Sequence, residues 1–142
     1  YKMLNQAENN ENPIFFIPPI TNQVNLLELI SQQLNRKTIV LNWTKAINDV
    51  SSVEETAKIW VELMLRIQPS GSYDIVGYSF GAAVAFEIAC QLQQMNRNVN
   101  SLTLLDGSPV QMNKYAQIAY NSNANVNDTK TTHIGMLIGF FK

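Results

Sequence analysis

The chain has 142 residues, a formal net charge of −1 and a pI of about 5.8. That is enough for one domain with a real core, and the near-neutral charge predicts no attraction to nucleic acid or to an acidic membrane surface. Charged residues make up 15%, below the usual ~25%, as in a well-buried domain or a piece of a larger one.

The single cysteine, Cys90, excludes an internal disulfide and fits a reducing compartment. No apolar run approaches the ~20 residues that span a bilayer. The opening YKMLNQAENNENP lacks the apolar core of a signal peptide. A cytoplasmic location is therefore expected. The chain starts at Tyr1, not at a methionine, and stops just after the apolar pair Phe140-Phe141. Both features are those of a fragment that lacks its C-terminal part.

No internal repeat is visible. Residues 1–12 are polar and read as a disordered lead-in. PIFFIPP (13–19) is an apolar run closed by two prolines, hence a buried strand that stops abruptly. In VNLLELISQQL (24–34), Val24, Leu27, Ile30 and Leu34 share one helical stripe. TIVLNW (38–43) is β-branched and reads as a second strand. Ser52 with Glu55 three residues on is a capping-box signature. Val53, Ala57, Trp60, Val61, Met64 and Ile67 then line a helix face that Pro69 ends.

YDIVGY (73–78) is the third strand. The helix over 80–95 is apolar nearly all round and should be buried. VNSLTLLDGSP (99–109) is the fourth strand, ending at Asp106-Gly107. A helix over 110–120, a polar loop over 121–132 and a helix over 133–141 complete the reading. Apolar strands alternating with helices imply an α/β fold: a mostly parallel sheet with helices on both faces. Sites in such sheets lie at the carboxyl ends of strands, where Ser79 and Asp106 both fall.

Gly77-Tyr78-Ser79-Phe80-Gly81 joins the third strand to its helix. A serine on a turn this sharp projects above the sheet as a nucleophile. Gly77 and Gly81 fit because residues two before and two after it crowd each other and the neighbouring strands. The helix points its positive end at the same place, and the Phe80 N–H can donate to a developing oxyanion. G-x-S-x-G alone is a weak signal; its strand-turn-helix context makes it strong. A second oxyanion donor belongs on the loop after the first strand, IPPITN. Pro18 and Pro19 have no N–H, so Ile20 is the first available donor. Asp106 can orient a histidine and stabilise its imidazolium; equally, Asp-Gly is turn chemistry.

FFIPPI, RIQPSGSYDIVGYSFGAAVAFEIACQLQ and NSLTLLDGSPV together resemble the thioesterase domain of animal-type fatty acid synthase, from about residue 13 to about 120. The resemblance implies an α/β-hydrolase fold, with residues 13–120 as the core and 121–142 as the start of a helical lid. It implies hydrolysis of the thioester between a long fatty acyl chain and the phosphopantetheine arm of an acyl carrier protein. Ser79 carries over as nucleophile, Asp106 as triad acid, and Phe80 and Ile20 as oxyanion donors. The partners implied are the acyl carrier protein and the other domains of the same synthase. No resident cofactor, metal, nucleic acid or membrane insertion is expected. The chain departs from the family at Thr21-Asn22-Gln23, where a glycine-containing loop is common.

His133 is the chain's one histidine. It follows Ser79 and Asp106 in the order of this fold, but too soon for lid helices and further strands to intervene. It opens HIGMLIGFF (133–141) and reads as a helix-terminus residue. The general base is expected outside this chain, with His133 as the alternative, and the isolated chain is expected to be inactive. Cys90 reads as packing, and Glu87 as paired or solvated. Tyr78 and Phe80 are candidates either for an acyl groove or for packing, as are Met136, Leu137, Ile138, Phe140 and Phe141. Two other functions stay open: a non-catalytic binding fragment of the same fold, and a general serine esterase or lipase.

Overall fold

In the computed structural model, residues 1–44, 47, 50, 52–108 and 110 are described. Five strands form one sheet. They are β1 (Lys2–Met3), β2 (Ile14–Ile17), β3 (Thr38–Val40), β4 (Tyr73–Tyr78) and β5 (Val99–Leu105). Among the described residues they are connected by the helices α1 (Asn25–Gln32), α2 (Val53–Ile67) and α3 (Phe80–Gln94). The strand order is β1-β3-β2-β4-β5. All pairings are parallel except the antiparallel β1–β3 edge.

Side chains of a strand alternate between faces, and this sorts the core into two layers. Phe15, Ile17, Ile39, Leu41, Tyr73 and Ile75 pack on α2 and α3, with Trp60, Met64, Val84 and Ile88 among their neighbours. Phe16 and Val40 pack on the opposite face against Leu27 of α1, with Val24, Ile30 and Leu34 beside them. Because the chain winds first to one side of β2 and then to the other, β2 and β4 flank the switch point, where the carboxyl ends open a crevice.

Ser52 caps α2 by accepting the Glu55 N–H at 3.1 Å. Helix α3 is buried at Phe80–Ala85, Ile88, Ala89 and Leu92. Its run of small residues lets it lie close to the sheet. No helix among the described residues is long and apolar enough to cross a membrane.

Two expectations change. Residues 1–12 are not all disordered lead-in. Lys2 and Met3 pair with Val40 and Ile39, and Asn5 Nδ2 donates to the carbonyls of Ser31, Leu34 and Arg36. The C-terminal carbonyls of a helix need donors, and Asn5 supplies one to Ser31 in the last turn of α1 and others to the segment that follows it. Second, β3 stops at Val40 instead of running to Trp43. β5 ends where expected, at the Asp106-Gly107 turn, its last residue being Leu105 and Asp106 standing at φ 48. Beyond Val110, the expected helix, polar loop and lid with His133 lie outside the described residues.

Candidate active site

β4 ends at Tyr78 and α3 starts at Phe80, leaving Ser79 alone to turn the chain, at φ 55 and ψ −123. Positive φ is uncommon for a residue with a side chain and costs about 1–3 kcal/mol. The surroundings hold it there. The Ser79 N–H donates to the Leu105 carbonyl at 2.8 Å, and the Ser79 carbonyl accepts the Ala82 N–H at 2.9 Å. The Ser79 side chain makes no capping bond to α3, so its hydroxyl is not committed to the helix.

The flanking glycines answer to close backbone contacts. A Cβ on Gly77 would stand 2.5 Å from the Gly81 carbonyl oxygen, and one on Gly81 would stand 2.4 Å from the carbonyl oxygens of Ile17 and Pro18. The first turn of α3 thus sits directly on the end of β2, with its positive end at Ser79.

Asp106 follows β5, whose last residue Leu105 lies opposite Tyr78 in register. It is held between two contacts to the Ser79 peptide. Leu105 before it accepts the Ser79 N–H, and a Cβ on Gly107 after it would fall 2.4 Å from the Ser79 carbonyl oxygen. The Asp106 side chain is exposed and makes no hydrogen bond among the described residues. Sequence reasoning read Asp106 as the triad acid, with an Asp-Gly turn as the alternative, and overlooked the close approach of Gly107 to Ser79.

The loop after β2 turns at Pro19–Asn22, closed by the Asn22 N–H donating to the Pro19 carbonyl at 2.8 Å. Ile20 packs against the core cluster of α2 and α3. Among the described residues its N–H makes no hydrogen bond, and neither does that of Thr21. Trp43, expected in a strand, reaches this loop instead. Its Nε1–H donates to the Pro19 carbonyl at 2.8 Å, and its backbone N–H donates to Asn22 Oδ1 at 3.3 Å. Its ring lies 5.8 Å from Phe80 and 4.8 Å from Trp60, centroid to centroid.

Other sequence candidates lie apart from this arrangement. Glu87 accepts from Gln91 one turn along α3, at 2.8 Å. Burial pushes the Cys90 thiol up, and the Glu87 charge adds to it, so at neutral pH it is a thiol and not a thiolate nucleophile. Tyr78 packs towards α1, and Phe80 towards Trp43. Among the described residues no three His, Cys, Asp or Glu side chains gather as metal ligands. His133 and the apolar residues Met136, Leu137, Ile138, Phe140 and Phe141 lie outside the described residues.

The fold and sequence both have relatives. The chain is 31% identical over 101 residues to N-(5-amino-5-carboxypentanoyl)-L-cysteinyl-D-valine synthase of Amycolatopsis lactamdurans, covering 70% of this chain and 3% of that protein. It is 39% identical over 54 residues to polyketide synthase PksR of Bacillus subtilis, covering 38% of this chain and 2% of that one. In structure it is similar to the NocB thioesterase domain, solved as a covalent complex with a fluorophosphonate nocardicin G analogue. The TM-score is 0.69 at 20% identity, over 92% of this chain and 62% of that one. The chain thus spans a few per cent of these synthases and less than two thirds of the solved domain. The fold is that of an α/β-hydrolase-like thioesterase, with a mostly parallel mixed sheet. Residues 12–134 match the family described as Thioesterase domain, and the chain belongs to that family.

Proposed function

We propose that this domain releases a thioester-bound chain from a carrier protein, with Ser79 as the nucleophile. The observation that carries the reading is the Ser79 backbone: a serine held at φ 55 between β4 and α3, its hydroxyl not used in capping the helix. Ser79 Oγ attacks the thioester carbonyl carbon while a histidine expected outside this chain takes its proton. The tetrahedral oxyanion forms where the Phe80 and Ile20 N–H groups can receive it. Its collapse breaks the C–S bond, the histidine gives the proton to the leaving thiolate, and the acyl chain stays on Ser79. Water, or a nucleophile of the bound chain, then repeats the sequence on the ester. Asp106 orients the histidine and stabilises its charged form.

The substrate in this reading is a peptide or polyketide chain on the phosphopantetheine arm of a carrier domain, within a cytoplasmic synthase. Support comes from the relatives, named as a peptide synthase and a polyketide synthase. The long-chain fatty acyl substrate implied by the fatty acid synthase resemblance has no such support among them.

Turnover of N-acetylcysteamine thioesters by the full-length protein, which supplies the histidine expected outside this chain, tests both levels. A short peptidyl thioester is expected to be consumed faster than the palmitoyl one, and Ser79→Ala to lose about 10⁴-fold or more in kcat. A palmitoyl preference returns the substrate to the fatty acyl class. Full turnover by Ser79→Ala refutes the nucleophile itself. His133 falls too close after Asp106 for the base of this fold, so His133→Ala is expected to leave turnover in place.

A further inference from the structure

We propose that Trp43 is a positioning residue of the oxyanion site, locking the loop that carries the Ile20 N–H against the head of α3. This rests on the reading of Ser79 as nucleophile and Ile20 as oxyanion donor.

An oxyanion donor works only if it is fixed before the charge appears. The Ile20 loop has one natural anchor. Its start, at Ile17 and Pro18, lies against the bare Cα of Gly81, which ties it to α3. After Pro19 that contact ends, and a single turn bond from the Asn22 N–H to the Pro19 carbonyl holds the shape. Trp43 supplies the second anchor. Its indole N–H bonds the same Pro19 carbonyl from outside the turn, and its own backbone N–H bonds Asn22 Oδ1. Asn22 stands at φ 56, a conformation asparagine tolerates better than most residues. The two bonds fall on either side of Ile20 and Thr21, so the unbonded donors sit on a span fixed at both ends.

Trp43 also faces the other donor. Its ring packs on Phe80, the residue after Ser79, and is backed by the fully buried Trp60. One side chain therefore contacts both halves of the oxyanion site. β3 ends early so that the chain can deliver this side chain: Leu41 still donates to the Phe16 carbonyl at 2.9 Å, and two residues later Trp43 has turned towards the Pro19 loop.

The test follows phosphonylation of the full-length protein by an ethoxy fluorophosphonate, with Ser79→Ala to fix the site of labelling. Trp43→Phe keeps an aromatic ring against Trp60 and Phe80 but removes the indole N–H. Asn22→Gly keeps the positive φ and removes the second acceptor. Each is expected to slow Ser79 labelling by about tenfold, a fraction of the 10²–10³ seen when a donor is lost outright. With octanoyl N-acetylcysteamine thioester, kcat should fall while KM stays, and the Trp43→Phe melting temperature should stay near wild type. Labelling of both variants at the wild-type rate overturns the proposal while leaving Ser79 as nucleophile. If Trp43→Phe does not fold, the rate of Asn22→Gly decides by the same criterion. Absence of Ser79 labelling in the folded full-length wild-type protein, histidine included, overturns the nucleophile and the proposal together.

Discussion

Ser79 keeps a backbone conformation that its own side chain disfavours, at φ 55. Glycine adopts that region freely, so Ser79→Gly is expected to be about 1 kcal/mol more stable than Ser79→Ala in urea unfolding. Equal stability of the two would mean that the turn stores no strain. Gly107 offers the complementary test. A Cβ there would meet backbone, the Ser79 carbonyl oxygen at 2.4 Å, and no side-chain rotation can relieve that. Gly107→Ala is expected to cost about 1–3 kcal/mol and, by displacing Ser79, to slow its acylation by about tenfold or more. Unchanged melting and labelling would contradict the contact. The roles of Gly77 and Gly81 were legible in the sequence because G-x-S-x-G carries its own geometry. That of Gly107 was not, since Asp-Gly already reads as a turn and its neighbour Ser79 is distant in the chain.

Elements with a strong local signal were legible, and those built by distant partners were not. The Ser52 cap of α2 was read from Ser-x-x-Glu, and the Ser52 hydroxyl does accept the Glu55 N–H. Ser52→Ala is expected to cost about 1 kcal/mol of stability, checked by denaturant titration. β4 matches its sequence reading residue for residue, because YDIVGY is bounded by Pro69-Ser70-Gly71-Ser72 before and the serine turn after. β1 has only two residues, too few to show a period. Its place depends on the edge of β3 and on the carbonyls of Ser31 in α1 and Leu34 just after it, which Asn5 satisfies. TIVLNW is β-branched at its start and aromatic at its end, so its pattern does not show that Trp43 leaves the sheet to bond Pro19.

The whole molecule divides its tasks between the two ends of the sheet. Ser79, Asp106 and Ile20 follow the carboxyl ends of β4, β5 and β2. At the amino ends, nearly buried Asp74 accepts from Arg36, Ser101 and Asn100, and Arg36 also bonds the Asn12 carbonyl. Burial alone would push the Asp74 carboxyl up. The hydrogen bonds from Ser101, Arg36 and Asn100, with the Arg36 charge, outweigh it and hold the group below its ordinary 3.8. Its stabilisation is therefore present above that pH and lost as pH falls through the lower folded value. The gap in stability between wild type and Asp74→Asn should be full at neutral pH and narrow in acid below 3.8; a constant gap would contradict the ion pair. Arg36→Ala should cost about 3 kcal/mol by stranding that carboxylate, with the Ser79 reactivity of the folded fraction intact. The central claim concerns the other end. The measurement that tests it most directly is mass mapping of the full-length protein after exposure to a peptidyl thioester and rapid acid quench. An acyl adduct on Ser79, absent from Ser79→Ala, is the expected result. Thioester turnover with no Ser79 adduct under any quench time, or an adduct that survives in Ser79→Ala, would contradict it.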